Sequence, residues 1–218
     1  MLTTKLKLHL PIVAIVGLAM ATTSSAQQES IERNLERRIA SPAGYSATEV
    51  AGNYDVREGY VGGKWIEILY GRPIKRERNL FDLPDSEEAL MDGAEVWRAG
   101  ANVTTRLRTE VPLLFENNRV EPGEYTVFIA FENNGWNFVL STWPAQLNYD
   151  YENLEALWGS YEYTSDRDVL RAAMTVDRID NSYDQLSWQF INMTSESGAL
   201  IMHWDKVAAS VPFRILKE

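Results

Sequence analysis

The 218-residue chain contains no cysteine. That excludes a disulfide framework, a cysteine nucleophile and a thiolate metal site, so the folded state has to rest on a packed core. Histidine is almost as scarce, with only His9 and His203. An imidazole metal centre needs two or three converging rings, and a serine–histidine pair would have His203 alone to draw on. No G-x-S-x-G elbow, G-x-G-x-x-G turn or Walker loop occurs, so no nucleotide cofactor is expected. With no ligand set for a metal either, the expected cofactor is none. Positive charge is also short. Lysine and arginine number 21 against 31 acids, a formal net charge of −10. Such a surface repels phosphate backbones and anionic headgroups, which argues against nucleic acid as a partner.

Long apolar runs are missing except for one near the start. Leu10 to Ala21 follows Lys5 and Lys7 and precedes the small residues Ser24-Ser25-Ala26. A positive n-region, a short apolar stretch and a small-residue site together make a secretory signal over residues 1–26, cleaved after Ala26. The expected product is periplasmic or secreted and has no further membrane span. Loss of Lys5 and Lys7 takes its formal charge from −10 to −12.

What the chain does have is aromatic residues and alternation. Ile31, Leu35 and Ile39 fall on one helical stripe, giving an N-terminal helical arm over 27–43. From Gly44 onward the period changes to two. "KWIEILY" (64–70) alternates Ile66, Ile68 and Tyr70 against Trp65, Glu67 and Leu69. "YTVFIAF" and "WNFVLST" flank an Asn134-Gly135 turn, the strongest hairpin signal in the chain. "DVLRAAMTVDRI" puts Leu170, Ala172, Met174 and Val176 on one face. "ALIMHWD" sends Leu200, Met202 and Trp204 inward and His203 and Asp205 outward, and Pro212 marks an edge or bulge in the last strand. Short strands punctuated by turns predict an all-β fold, an antiparallel β-sandwich of jelly-roll or Greek-key type, as a single domain over 44–218. Two acidic segments interrupt it. Residues 82–95 carry a capping-box pattern, Asp85 with Glu88, and predict a short helix; 144–157 read as a loop or short helix.

Functional groups gather at two loops. Tyr70-Gly71-Arg72-Pro73 ends a strand, and "EVWRAGANVTT" (95–105) leads into another. Guanidinium is permanently charged, forks onto carboxylate or phosphate and stacks on rings. Arg72 and Arg98 are therefore the candidate anion-facing groups, Tyr70 and Trp97 the candidate ring walls, and Asn102 and Thr105 the orienting hydrogen bonders. The competing reading pairs both arginines with internal carboxylates such as Glu67 or Glu95, as a clamp between loops. His203, between large apolar residues, reads as a satisfied, half-buried ring.

"YGRP", "EVWRAGANVTT", "EPGEYTVF", "WGSYEYTSDRDVLR" and "HWDKVAASVPF", in that order, resemble a family of secreted bacterial proteins, domain of unknown function 2911, over about Ser41 to Leu216. The resemblance implies an exported all-β domain with Arg72, Trp97, Arg98, Asn102 and Thr105 as signature polar positions. This chain differs from the pattern in longer stretches between Phe81 and Val96 and between Pro144 and Leu157, which could rim the arginine site. It also carries Ala43 where many members have histidine. The expected function is non-catalytic binding of a small polar or anionic ligand or an envelope partner. A metal-independent hydrolase using paired carboxylates and a purely structural envelope protein are the alternatives.

Overall fold

Alternating burial builds two facing sheets. The computed structural model describes residues 40–82, 85–132 and 135–217. The proposed signal, nearly all of the helical arm and His9 lie outside them. The first sheet is antiparallel and joins β1 (Ala43–Val50), β4 (Lys64–Gly71), β5 (Thr105–Thr109), β8 (Gly123–Glu132), β9 (Gly135–Ser141) and β10 (Asp168–Ala173) in that order. Between β1 and β4 stands a separate small hairpin of β2 (Asn53–Asp55) and β3 (Gly59–Val61). The second sheet runs β11 (Thr175–Ile191), β12 (Ser197–Ile215), β6 (Leu113–Phe115) and β7 (Asn118–Val120). The antiparallel β-sandwich expected from alternation is the fold observed.

Within β4, Ile66, Ile68 and Tyr70 are buried while Lys64 and Trp65 face solvent. The hairpin of β8 and β9 sets Glu132 opposite Gly135, a two-residue connection whose tip, Asn133 and Asn134, lies outside the described residues. Gly135 is not a turn residue here: it opens β9 with φ 123. In the second sheet β12 doubles back on itself. The Ile215 N–H donates to Glu196 O at 2.8 Å, and Asp205 supplies a left-handed residue, φ 51, at the reversal. Trp204 and Val207 then fall on the same inner face on either side of the turn.

Four expectations need correction. "DVLRAAMTVDRI" is split at Met174 between β10 and β11, which belong to different sheets, so Leu170 and Ala172 are buried whereas Val176 is exposed. Asp205 is buried rather than outward, because the reversal turns its carboxylate onto Lys75 Nζ at 2.5 Å and Ser182 Oγ at 3.0 Å. Asp85 does precede a helix, α1 (Ser86–Met91), yet makes no side-chain capping bond; Glu87 accepts instead from the Trp136 indole at 2.8 Å. His203 stacks on Tyr183 with ring centroids 4.8 Å apart, but its Nδ1 has no partner among the described residues.

The main core lies between the sheets, where the Trp97 and Trp204 rings stack at 5.7 Å and 12°. A second, smaller core sits on the opposite face of the first sheet. Phe128 and Ala130 of β8 and Val139 of β9 are covered there by Val96, Leu157 and Tyr163. The long excursion between β9 and β10 therefore packs as an outer layer, and it brings the candidate site with it.

Candidate functional site

Residues 95–104 lie in the connection from α1 to β5, which Thr105 opens, and Val96, Trp97 and Arg98 face alternate sides. Trp97 docks on β8 through a reciprocal pair of bonds with Ile129, at 2.8 and 2.9 Å, and its ring enters the main core. At Ala99 the backbone is left-handed, φ 52, and its carbonyl accepts from the Trp188 indole at 3.0 Å and the Thr105 hydroxyl at 3.3 Å. The indole belongs to β11, so this bond ties the loop to the second sheet. The glycines allow a close approach: a Cβ on Gly71 would lie 1.8 Å from Ala101 O, and one on Gly100 would lie 3.0 Å from Gly71 O. One residue before β5, the Thr104 hydroxyl reaches Leu157 O at 3.0 Å and Gly159 O at 2.9 Å, pinning the outer layer. The run is thus clamped on both faces by backbone carbonyls and hydroxyls, with one indole on the inward side.

Arg98 lies between these inward residues and faces the other way, into a cavity of about 710 Å³. The cavity is lined by Arg98, Asn102, residues 91–95 after and at the end of α1, Tyr149, and residues 158 and 160–163. This size suits a small molecule. Among the described residues Arg98 forms no ion pair and no hydrogen bond, and its Nε is buried without a partner. Burial holds the guanidinium below its usual pKa, and the nearby Asp92 carboxylate pulls in the opposite direction. Gly159 makes room for the stem. Its φ is 66, and a Cβ there would fall 3.0 Å from Arg98 Cδ and 3.3 Å from Nη1.

The walls are held by their own chemistry. Gln146 is buried and fills the 146–156 loop: its Nε2 lies 3.0, 2.9 and 2.8 Å from the carbonyls of Asp150, Asn153 and Ala156, and its Oε1 accepts from Asp150 N–H at 2.8 Å. That loop carries Tyr149, whose ring meets Trp158 at 5.6 Å and 60°. Tyr163 donates to Asp168 Oδ2 at 2.6 Å and accepts from Arg171 Nη2 at 2.9 Å. Burial, then the bond to Asp168, drives the Tyr163 pKa far above the ordinary phenol value. Burial likewise raises the Asp168 carboxyl, against the bonds from Tyr163 and Arg171.

The two arginine loops meet, as Gly71 and Ala101 show, but the guanidinium groups part company. Arg72 donates from Nε to Leu186 O at 3.2 Å, joining β4 to β11, and does not line the cavity. The carboxylate clamp is not observed either. Glu67 accepts from the Tyr45 hydroxyl at 2.5 Å and faces Arg108 at 3.7 Å, while Glu95 lines the cavity unbonded to Arg98. Tyr70 and Trp97 are core rings, 5% and 2% exposed, and neither is a cavity wall. Thr105 is fully buried beneath the loop. Asn102, left-handed at φ 62, does line the cavity and reaches Ser41 O at 3.5 Å.

A family model matches residues 53–213, a span that includes the 95–105 run and the aromatic wall. The chain belongs to the family described as protein of unknown function (DUF2911). Membership in DUF2911 brings no activity with it. No curated protein and no solved structure matches the chain. Among the described residues no three histidine, aspartate or glutamate side chains gather closely enough to hold a metal ion. The wall residues Tyr149, Trp158, Tyr161 and Tyr163 are not among the site positions read from sequence. The signal for the last three is "WGSYEY" (158–163), three rings in six residues with a glycine, whereas Tyr149 lies outside it.

Proposed function

We propose that this DUF2911 protein is a binding protein that takes a small ligand bearing an anionic group in the cavity at Arg98. The observation that carries this reading is the partly buried guanidinium, which among the described residues has no ion pair and no hydrogen bond. An isolated buried charge is costly, and a carboxylate or phosphate entering the cavity would offset that cost through charge-assisted bonds. Arg98 then supplies the anion-facing group, Asn102 an orienting amide, and Tyr149 and Trp158 the ring faces. Binding is favoured over hydrolysis because, among the described residues, the one carboxyl with a raised pKa, Asp168, is engaged by Tyr163 and Arg171 and does not line the cavity. The leader pattern of residues 1–26 supports an exported, periplasmic or secreted setting for this binding.

The test is thermal unfolding of the mature protein with acetate, citrate, inorganic phosphate and glycine betaine. A true ligand at 100 times its Kd stabilises by about 2.7 kcal/mol. The stabilisation should vanish in Arg98→Met, which keeps the stem against Gly159 and abandons no hydrogen bond. It should persist in Arg72→Met, whose guanidinium lies outside the cavity. A set of probes with no Arg98-dependent shift would overturn the proposal.

A further inference from the structure

We infer that the ligand is a zwitterion of the amino-acid or betaine class, with its carboxylate on Arg98 and its ammonium among the rings and acids of the rim. This rests on the binding role proposed above and narrows its chemistry. Charge around the cavity is unbalanced: among the described residues that line it, the one cation, Arg98, is outnumbered by Asp92, Glu95 and Glu162. The surrounding chain is itself acidic, with a formal charge of −10. A plain anion entering this field is repelled by the rim before it reaches the arginine, and a plain cation has no use for the arginine. A molecule carrying both charges matches both ends.

The arrangement of the charges gives the ligand a direction. Arg98 is half-buried with its Nε closed off from solvent, whereas Asp92, Glu95 and Glu162 are all exposed. The positive charge therefore lies deeper and the negative charges lie at the mouth. Aromatic rings stand at the same mouth. Tyr149 and Tyr161 are 64% and 69% exposed, so they are not there to fill a core. Tyr149 and Trp158 meet at 60°, forming a corner of two ring faces, the geometry in which faces can surround an alkylammonium. Glu162, next to Tyr161 in the chain, holds the Tyr161 phenol above its ordinary pKa, which places a carboxylate near a third ring. Rings plus carboxylates at the mouth recognise a substituted ammonium, and the guanidinium fork deeper down recognises a carboxylate.

Calorimetric titration of the mature protein with single-charge and double-charge probes tests this. The double-charge probes are glycine betaine, 4-aminobutyrate, 6-aminohexanoate and the dipeptide Ala-Ala, which sample ammonium substitution and charge separation. The single-charge probes are acetate, inorganic phosphate and tetramethylammonium. At least one zwitterion is expected to bind ten-fold or more tightly than every single-charge probe, and to lose ten-fold or more in Arg98→Met. The Asp92→Asn, Glu162→Gln double variant changes two exposed side chains and should fold normally. It should weaken the zwitterion and strengthen acetate, opposite responses that a general loss of structure cannot produce. If acetate or phosphate binds as tightly as any zwitterion and still needs Arg98, the zwitterion inference fails and the anion-binding role survives. If no probe depends on Arg98, both fail.

Discussion

Thr104→Val removes one hydroxyl and keeps the side-chain shape, so its cost can be worked from the bonds it breaks. The hydroxyl has one proton and two acceptors, Leu157 O at 3.0 Å and Gly159 O at 2.9 Å, all in a fully buried position. Leu157 O keeps a second donor, the Gln146 N–H at 2.9 Å. Among the described residues Gly159 O accepts no other hydrogen bond and is left bare. An abandoned buried acceptor costs about 1–3 kcal/mol, so a loss of about 2 kcal/mol is expected. That is about a 30-fold fall in the folded-to-unfolded ratio, and a Tm lower by about 4–8 °C for a domain of this size. Urea unfolding at equilibrium measures it. The control is Thr142→Val, whose exposed hydroxyl bonds Arg167 O at 3.2 Å and should matter by less than about 0.5 kcal/mol. If the two variants lose the same small amount, Thr104 does not pin the outer layer and the clamp described for this loop is wrong.

Gly71→Ala forces a methyl to within 1.8 Å of Ala101 O, a backbone atom that cannot swing aside, and should cost about 3 kcal/mol in the same urea assay. Native-like stability would mean that the two loops do not touch. Gly159→Ala combines a left-handed φ of 66 with contact on the Arg98 stem. About 1–2 kcal/mol of stability should go, together with any Arg98-dependent ligand stabilisation, and unchanged ligand shifts would detach Arg98 from this seat. The His203 pKa is lowered by burial from its ordinary 6.5. Above that pH the ring is neutral whether the chain is folded or not. As the pH falls below 6.5 the unfolded chain takes up the proton first, so stability declines with acid. His203→Gln should flatten that decline in a Tm series from pH 7.5 to pH 5, and an unchanged slope would place the titration elsewhere.

Much of the sandwich was legible because burial on one face leaves a period of two in the sequence. β4 and the inward residues of β12 follow it closely, whereas β8 and β9 are buried on both faces and are legible instead as apolar runs on either side of a turn. β1 escapes notice because most of its residues are only partly buried on either side, so no alternation is left to read. The sheet change at Met174 and the reversal at Asp205 are equally silent, since a continuous apolar pattern looks the same whether the strand continues or changes partners. At the site, the 95–105 run was visible as an unusual density of Trp, Arg, Gly, Asn and Thr. Which way each side chain faces was not. Trp97 and Arg98 are neighbours with opposite fates, and only the bond pair to Ile129 settles which one enters the core. The insertions at 82–95 and 144–157 were expected to rim the arginine, and residues 91–95 and Tyr149 do line the cavity. The direction of Arg72 was hidden because its acceptor, Leu186 O, is a backbone atom distant in sequence.

Gln146 holds its loop through amide contacts to backbone atoms at Asp150, Asn153 and Ala156, helped by the Asp150 and Asn153 side chains, which accept from Glu152 N–H and Glu155 N–H. None of these bonds reads the side chains at 147–149 or 151–152. Substitutions at positions 147–149 and 151–152 can therefore accumulate without loosening the loop's frame. Such a frame lets a lineage, or an engineer, exchange what the protein recognises while leaving its foundations alone.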